Sequence, residues 1–60
     1  MANNEARAEE YDRRADDMHR RAAYMQSCGS GADAHDFRTN AIQYRESARR
    51  LRQQDYERNN

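Results

Sequence analysis

One spacing, which occurs twice, constrains this chain more than any other feature. In each occurrence an alanine alternates with a large side chain at intervals of three and four residues, which is the period of one face of an α-helix. The first repeat consists of Ala8, Tyr11, Ala15, Met18, Ala22 and Met25. The second repeat consists of Ala34, Phe37, Ala41, Tyr44, Ala48 and Leu51. The spacing predicts two amphipathic helices.

The stretch between the two repeats predicts a tight bend. It contains both glycines of the chain, and Gly29 stands where a residue in the left-handed conformation commonly ends a helix. Ser30, followed three residues later by Asp33, is typical of a capping box at the start of the next helix. We therefore expect three parts: a helix over about 4–27, a bend over about 28–31 and a helix over about 32–57.

The two repeats also predict how the helices face each other. Folding the chain about the bend pairs positions whose numbers sum to 59, from Ala8–Leu51 at the open end to Met25–Ala34 beside the bend. Every layer then sets one alanine against one large side chain, which keeps the layer volume constant and lets the helices approach closely. The predicted fold class is all-α, an antiparallel two-helix hairpin that forms an alanine-rich coiled coil.

Acidic and basic residues fit the same hairpin. In the first helix four acids precede an arginine by four residues, a spacing that stabilises a helix: Glu9–Arg13, Glu10–Arg14, Asp16–Arg20 and Asp17–Arg21. An acidic strip on that helix consists of Glu5, Glu9, Asp12 and Asp16. The same flank of the second helix carries arginines. We expect Glu5 to lie near Arg52, and Asp12 near Arg45.

The small number of large apolar residues limits what one copy of the chain can bury. The 60 residues include one leucine, one isoleucine, one phenylalanine and no valine. A domain of this size is marginal by itself. We expect residues 1–60 to form a single domain and the hairpin to form a homodimer, a four-helix bundle. A closed hairpin and a domain-swapped dimer use the same layers, so both stay open.

In architecture, the two-helix pattern resembles the repressor-of-primer proteins of plasmids, which are short helical hairpins. The resemblance covers roughly residues 4–57 and concerns the pattern only. It implies a dimeric four-helix bundle and contact with RNA. No motif of an RNA-binding face matches, so no functional residue is carried over.

Residues that often perform chemistry are present but not in a catalytic or metal-binding pattern. Cys28 is the only cysteine, and His35 is the only nearby base, while a nucleophile needs both an oriented base and an oxyanion site. His19, Cys28 and His35 lack the close ligand spacings of structural zinc sites. We expect no enzyme activity, no cofactor, no metal and no small-molecule substrate.

The distribution of apolar residues also predicts the cellular location of the protein. No apolar run approaches the ~18 residues of a membrane span. No hydrophobic signal region is visible either. We expect a cytoplasmic protein without a membrane partner.

The second helix carries a stripe that the alanine repeat does not use. We call it the arginine stripe: Arg38, Ile42, Arg45, Arg49, Arg52 and Tyr56. Ile42 and Tyr56 have no place in the core of the hairpin, and unused apolar residues indicate a second interface. Arginine and tyrosine are enriched at binding hot spots. We predict that the stripe binds a partner, with Tyr24 contributing near the bend.

Three interpretations of the arginine stripe compete. It is a solvated face paired with the acidic strip, an interface with protein, or an RNA-binding surface in which tyrosine stacks on bases. The net charge is zero, whereas nucleic-acid binders commonly have an excess of basic charge. We favour a small interaction or regulatory module that docks on a larger protein, of the kind that phages and plasmids encode as inhibitors. An RNA-binding hairpin is the alternative.

Overall fold

The computed structural model describes residues 4–59, which form two α-helices. Helix α1 is Asn4–Ser27 and helix α2 is Gly31–Asn59. The helices pack against each other along their length, so the predicted all-α helical hairpin is confirmed. Helix α2 begins one residue before the predicted start and ends two residues beyond the predicted end. Residues 1–3 and 60 of the predicted domain lie outside the described residues.

The bend is held by backbone hydrogen bonds around Gly29. Gly29 has a φ of 82°, the left-handed conformation that the sequence predicts. The Ser30 N–H donates to the Met25 carbonyl over 2.8 Å, and the Gly29 N–H donates to the Gln26 carbonyl over 3.1 Å. These two bonds form a Schellman motif, which satisfies carbonyls that the end of a helix leaves free. The bend therefore occupies three residues, 28–30.

Ser30 is the N-cap of α2, but it acts through its backbone. Its carbonyl accepts a 3.0 Å hydrogen bond from the Ala34 N–H, the first bond of the new helix. Within residues 4–59 the Ser30 hydroxyl makes no hydrogen bond, so the predicted capping box with Asp33 is not formed. The backbone bonds of the bend are sufficient to direct the chain into α2.

The interior between the helices is made of alanine. All six alanines of the two repeats are buried, with exposed fractions of 0–2%. The six large residues of the repeats are only half-buried. No large side chain in the described part of the chain is fully buried. The alanines let the helices approach, and the large side chains lie beside the line of contact.

A polar pair continues the same register at the open end of the hairpin. Asn4 is buried, and its Nδ2 donates a 2.9 Å hydrogen bond to Oδ1 of the half-buried Asp55. The two residue numbers sum to 59, as in the alanine layers. Sequence reasoning missed this layer because neither residue belongs to the apolar repeat.

The large residues lie on one side of the hairpin. The rings of Tyr11 and Tyr44 stack across the two helices, with centroids 5.9 Å apart and planes inclined by 24°. Residues seven apart lie on the same side of a helix, so the other large residues follow these two tyrosines. We call this side the apolar face: Tyr11, Met18, Met25, Phe37, Tyr44 and Leu51.

The other side of the hairpin carries charged and polar residues. On a helical wheel each alanine of a repeat lies between two neighbours. One is a large residue of the repeat, and the other is the residue that directly follows that large residue in the sequence. Because the alanines point at the neighbouring helix, those following residues fall on the side opposite the apolar face. We call this side the charged face: Asp12, His19, Gln26, Arg38, Arg45 and Arg52.

Candidate interaction surfaces

Arg52 joins the two helices on the charged face. Its Nη2 lies 3.2 Å from Oε1 of Glu5, and its Nη1 lies 2.9 Å from Oδ2 of Asp12. The hydrogen bonds that the Arg52 guanidinium donates to the carboxylate of Glu5 and, to a smaller extent, to that of Asp12 raise its pKa above the usual value. The predicted Glu5–Arg52 contact is present, and Arg52 also takes the acid that we expected beside Arg45.

Arg45 and Arg38 are also held by α1. Arg45 Nη2 donates to Oδ1 of Asp16 over 2.9 Å, so the predicted Asp12–Arg45 contact is wrong by one turn of α1. Arg38 Nη2 donates to the Gln26 amide oxygen over 2.9 Å. Long arginine side chains choose among acids on successive turns, which residue spacing alone does not determine. Three of the four arginines of the stripe thus already have partners within the hairpin.

Three of the four predicted ion pairs within α1 are present. The closest nitrogen–oxygen distance is 3.9 Å for Glu9–Arg13, 3.4 Å for Glu10–Arg14 and 3.0 Å for Asp17–Arg21. The fourth, Asp16–Arg20, is not formed because Asp16 turns to Arg45 instead. Such exposed pairs contribute little individually. Their effect is to keep the outer surface of α1 close to electrically neutral.

The remaining members of the arginine stripe form an exposed row on α2. Ile42, Arg49 and Tyr56 are seven residues apart, and we call them the Ile42–Tyr56 row. The exposed fraction is 55% for Ile42 and 69% for Tyr56. Arg49 is exposed between them, with no ion pair to any residue in the range 4–59. This row is the most exposed apolar feature of α2.

Tyr24 is exposed, but the structure does not bring it together with the stripe. Its exposed fraction is 65%. It follows the buried Ala22 by two residues, which turns it away from α2 by about 200° on the helix. Tyr24 therefore lies on the outer surface of α1.

Cys28, His19 and His35 are the remaining residues of types that often perform chemistry. Cys28 is free and exposed at the bend. Over residues 4–59, no three His, Cys, Asp or Glu side chains are close enough together to hold a metal ion. No described helix is both long enough and apolar enough to cross a membrane.

The apolar face is the surface that sequence reasoning did not foresee. We expected the large residues to be covered by the opposite helix, yet all six remain half-exposed. The two repeats contained the information that predicts this face. Where small alanines alternate with large residues, the two helices touch at the alanines and the large side chains remain beside the contact. Arg14 lies over this face, with its Cζ 6.0 Å from the ring centroids of both Tyr11 and Tyr44.

Comparison with known proteins gives no relative for this chain. No protein-family model, curated protein or solved structure matches it. Its function is therefore inferred from its own residues: an uncovered apolar face on one side, and an exposed row on α2 beside the paired arginines of the other.

Proposed function

We propose that this protein is a small, non-enzymatic interaction module with two working surfaces. The apolar face joins two hairpins into a four-helix bundle, in which each alanine-rich coiled coil forms one layer. The Ile42–Tyr56 row then docks on a larger partner protein. The single observation that supports docking most strongly is the exposure of Ile42 and Tyr56. Both lie on a helix that already packs against α1 through its buried alanines.

The half-burial of the six large side chains supports the dimer. Fully burying a side chain of this size contributes about 1.5–3 kcal/mol relative to full exposure. Among the apolar side chains that the structure describes, a single hairpin fully buries only alanines, so much of that free energy is gained only when another surface covers the apolar face. Helices with an apolar side are generally stable when a second layer buries it.

The chemistry of the Ile42–Tyr56 row supports a protein partner. Tyrosine and arginine are the residue types enriched at the energetic centres of interfaces. Ile42 adds an apolar contact, and Arg49 offers a planar guanidinium for a carboxylate of the partner. The ion-paired Arg45 and Arg52 border the row and are already oriented by α1. A single helix side of this kind suits a small regulatory interface.

The pairing of the arginines favours protein over RNA as the partner. Arg45 and Arg52 contact carboxylates of α1, which compete with phosphate for the same guanidinium groups. The chain as a whole has no net charge. A phosphate-binding surface would have to break these pairs before it gained new ones. RNA contact therefore ranks below protein contact, and the cytoplasm stays the expected location.

Capture from the source organism with matched variants tests the docking proposal. The partner should be lost with Ile42→Glu and retained with Gln43→Glu, which adds the same charge at the exposed neighbouring position. Binding to the purified partner should also persist when salt is raised from about 0.05 to 0.2 M, a range over which contacts to several phosphates weaken by orders of magnitude. Equal capture by both variants, or a steep loss with salt, would contradict a protein-docking row.

A further inference from the structure

The two long edges of the apolar face differ in charge. The residue three positions after each large residue borders this face on a helix. On α1 those positions hold Arg14 and Arg21, and Arg7 continues the row one heptad earlier. Arg7 and Arg14 also line one shallow depression of about 180 Å³ beside Tyr11. The edge of the apolar face along α1 is therefore a row of arginines.

The edge along α2 is neutral over the same length. The residues three positions after its large residues are Asn40, Ser47 and Gln54. Each has an oxygen that accepts a hydrogen bond. None of these residues is an acid or a base. The arginines of the α1 edge can therefore donate hydrogen bonds to the oxygens of an α2 edge, but the two edges do not carry opposite charges.

A second copy of this chain fits the apolar face better than another occupant. The hairpin extends 47 Å in its longest direction and is one helix thick, so an occupant that covers the whole apolar face must be equally long. It must also be available whenever the chain folds, because a lone hairpin fully buries no large side chain within the described residues. An identical hairpin meets both requirements. Twofold symmetry allows two ways of placing it.

The two placements differ in which helices become neighbours. If the bends lie at the same end, α1 of each copy packs over α2 of the other. If the bends lie at opposite ends, α1 packs over α1 and α2 over α2. Both placements make all neighbouring helices antiparallel, so apolar packing alone does not distinguish them. The edges of the apolar face do.

We propose that two copies pack through their apolar faces with both bends at the same end. This inference rests on the dimer in the proposed function and adds its orientation. With the bends together, Arg7, Arg14 and Arg21 of one copy meet the neutral edge of the other. With the bends apart, the arginine edges meet each other, and like charges disfavour that contact. Glu10 and Asp17 neutralise Arg14 and Arg21, but Arg7 has no ion pair within residues 4–59.

The native cysteine provides a direct test of the orientation. Cys28 is the only cysteine, is exposed, and lies in the bend, so a nitroxide label attaches to the full chain without mutation. In double electron–electron resonance, bends at the same end predict label separations of roughly 15–30 Å, since helices are about 10–12 Å across. Separations near or above the 47 Å length of the hairpin would overturn the orientation but leave the dimer intact.

Two further outcomes separate this inference from the proposed function. A folded monomer without a dipolar signal would overturn the dimer, and with it both proposals. A swapped dimer of two continuous helices would also bring the labels together, but it would be about 85 Å long at 1.5 Å per residue. Small-angle X-ray scattering distinguishes these lengths, and a maximum dimension of that size would overturn the closed arrangement.

A charge variant tests the edges while leaving the apolar face unchanged. With the bends together, Ser47→Asp places an acid of one copy opposite the arginine edge of the other copy. With the bends apart, it places the new acids of the two copies opposite each other. The proposal therefore predicts a dimer about threefold to tenfold tighter at low salt. A weaker dimer would overturn it. Gln43→Asp, away from this edge, is the matched control and should leave the dissociation constant unchanged.

Discussion

Asn4 and Asp55 are 51 residues apart in the chain, and a 2.9 Å hydrogen bond from Asn4 to Asp55 joins the two helices at the open end of the hairpin. The pair lies in the register of the alanine layers, one layer beyond Ala8 and Leu51. Hydrogen bonding depends on direction and distance, whereas a row of alanines tolerates sliding by one heptad. A buried polar pair can therefore fix one register among several that apolar packing would accept.

Removing the acceptor of this pair should destabilise the hairpin. Asp55→Ala leaves the buried Asn4 amide without its partner, and an unsatisfied buried polar group costs about 1–3 kcal/mol. Urea unfolding followed by circular dichroism measures the change. Gln43→Ala, an exposed site on the same helix, is the control and should stay within about 0.5 kcal/mol of the unsubstituted chain. Equal stability of the two variants would show that the pair is unimportant.

The close approach of the helices predicts a strong dependence on alanine. Ala41 has an exposed fraction of 0%, so Ala41→Leu inserts bulk where the helices touch and should cost about 1–3 kcal/mol. Ala23→Leu makes the same substitution at an exposed position of α1 and should change the free energy of unfolding by less than about 0.5 kcal/mol. Thermal unfolding of both variants decides the point. Similar midpoints would contradict alanine-mediated contact.

The two glycines should respond to alanine in opposite directions. Gly29 has open space around it but a φ of 82°, so Gly29→Ala should cost roughly 1–2 kcal/mol for backbone strain alone. Gly31 begins α2 with ordinary backbone geometry and equally open space, so Gly31→Ala should stabilise by about 0.4–1 kcal/mol. Denaturation midpoints measure both. A neutral Gly29→Ala would contradict the left-handed cap.

Removing the guanidinium of Arg52 should loosen the open end without unfolding the hairpin. Arg52→Gln breaks its contacts with both Glu5 and Asp12. These contacts are exposed, so hydrogen exchange of the backbone near the start of α1 should accelerate while the rest of the helix keeps its protection. Arg50→Gln is the control, since Arg50 makes no ion pair within the described chain. Identical exchange in both variants would contradict the bridge.

The alanine repeats made the hairpin predictable, since spacing determines which residues share one side of a helix. The bend followed from the chemistry of Gly29, which adopts the left-handed conformation at little cost. The layer of Asn4 and Asp55 was not predictable from periodicity, because polar residues give no apolar signal. The predicted Glu5–Arg52 contact is present, but Arg45 pairs with Asp16, one turn beyond the expected Asp12, because long side chains select among neighbouring acids after the helices have packed.

The two sides of the hairpin show a second limit of periodicity. It identified the twelve residues that form the contact between the helices, but it does not show how much of each remains exposed. That exposure depends on the distance between the helix axes, which the alanines set. The half-exposed apolar face emerged only when both helices were in place. The same holds for the contacts with α1 that distinguish Arg45 and Arg52 from the exposed residues Ile42, Arg49 and Tyr56.

Sedimentation equilibrium of the folded chain tests the central claim most directly, namely that a second copy covers the apolar face. We expect a species of twice the 7.1 kDa chain mass, with a thermal midpoint that rises with protein concentration. Met18→Glu should abolish it, and Ile42→Glu, the same change on α2 away from the apolar face, should leave it intact. A stably folded 7.1 kDa monomer, with a midpoint independent of concentration, would contradict the account.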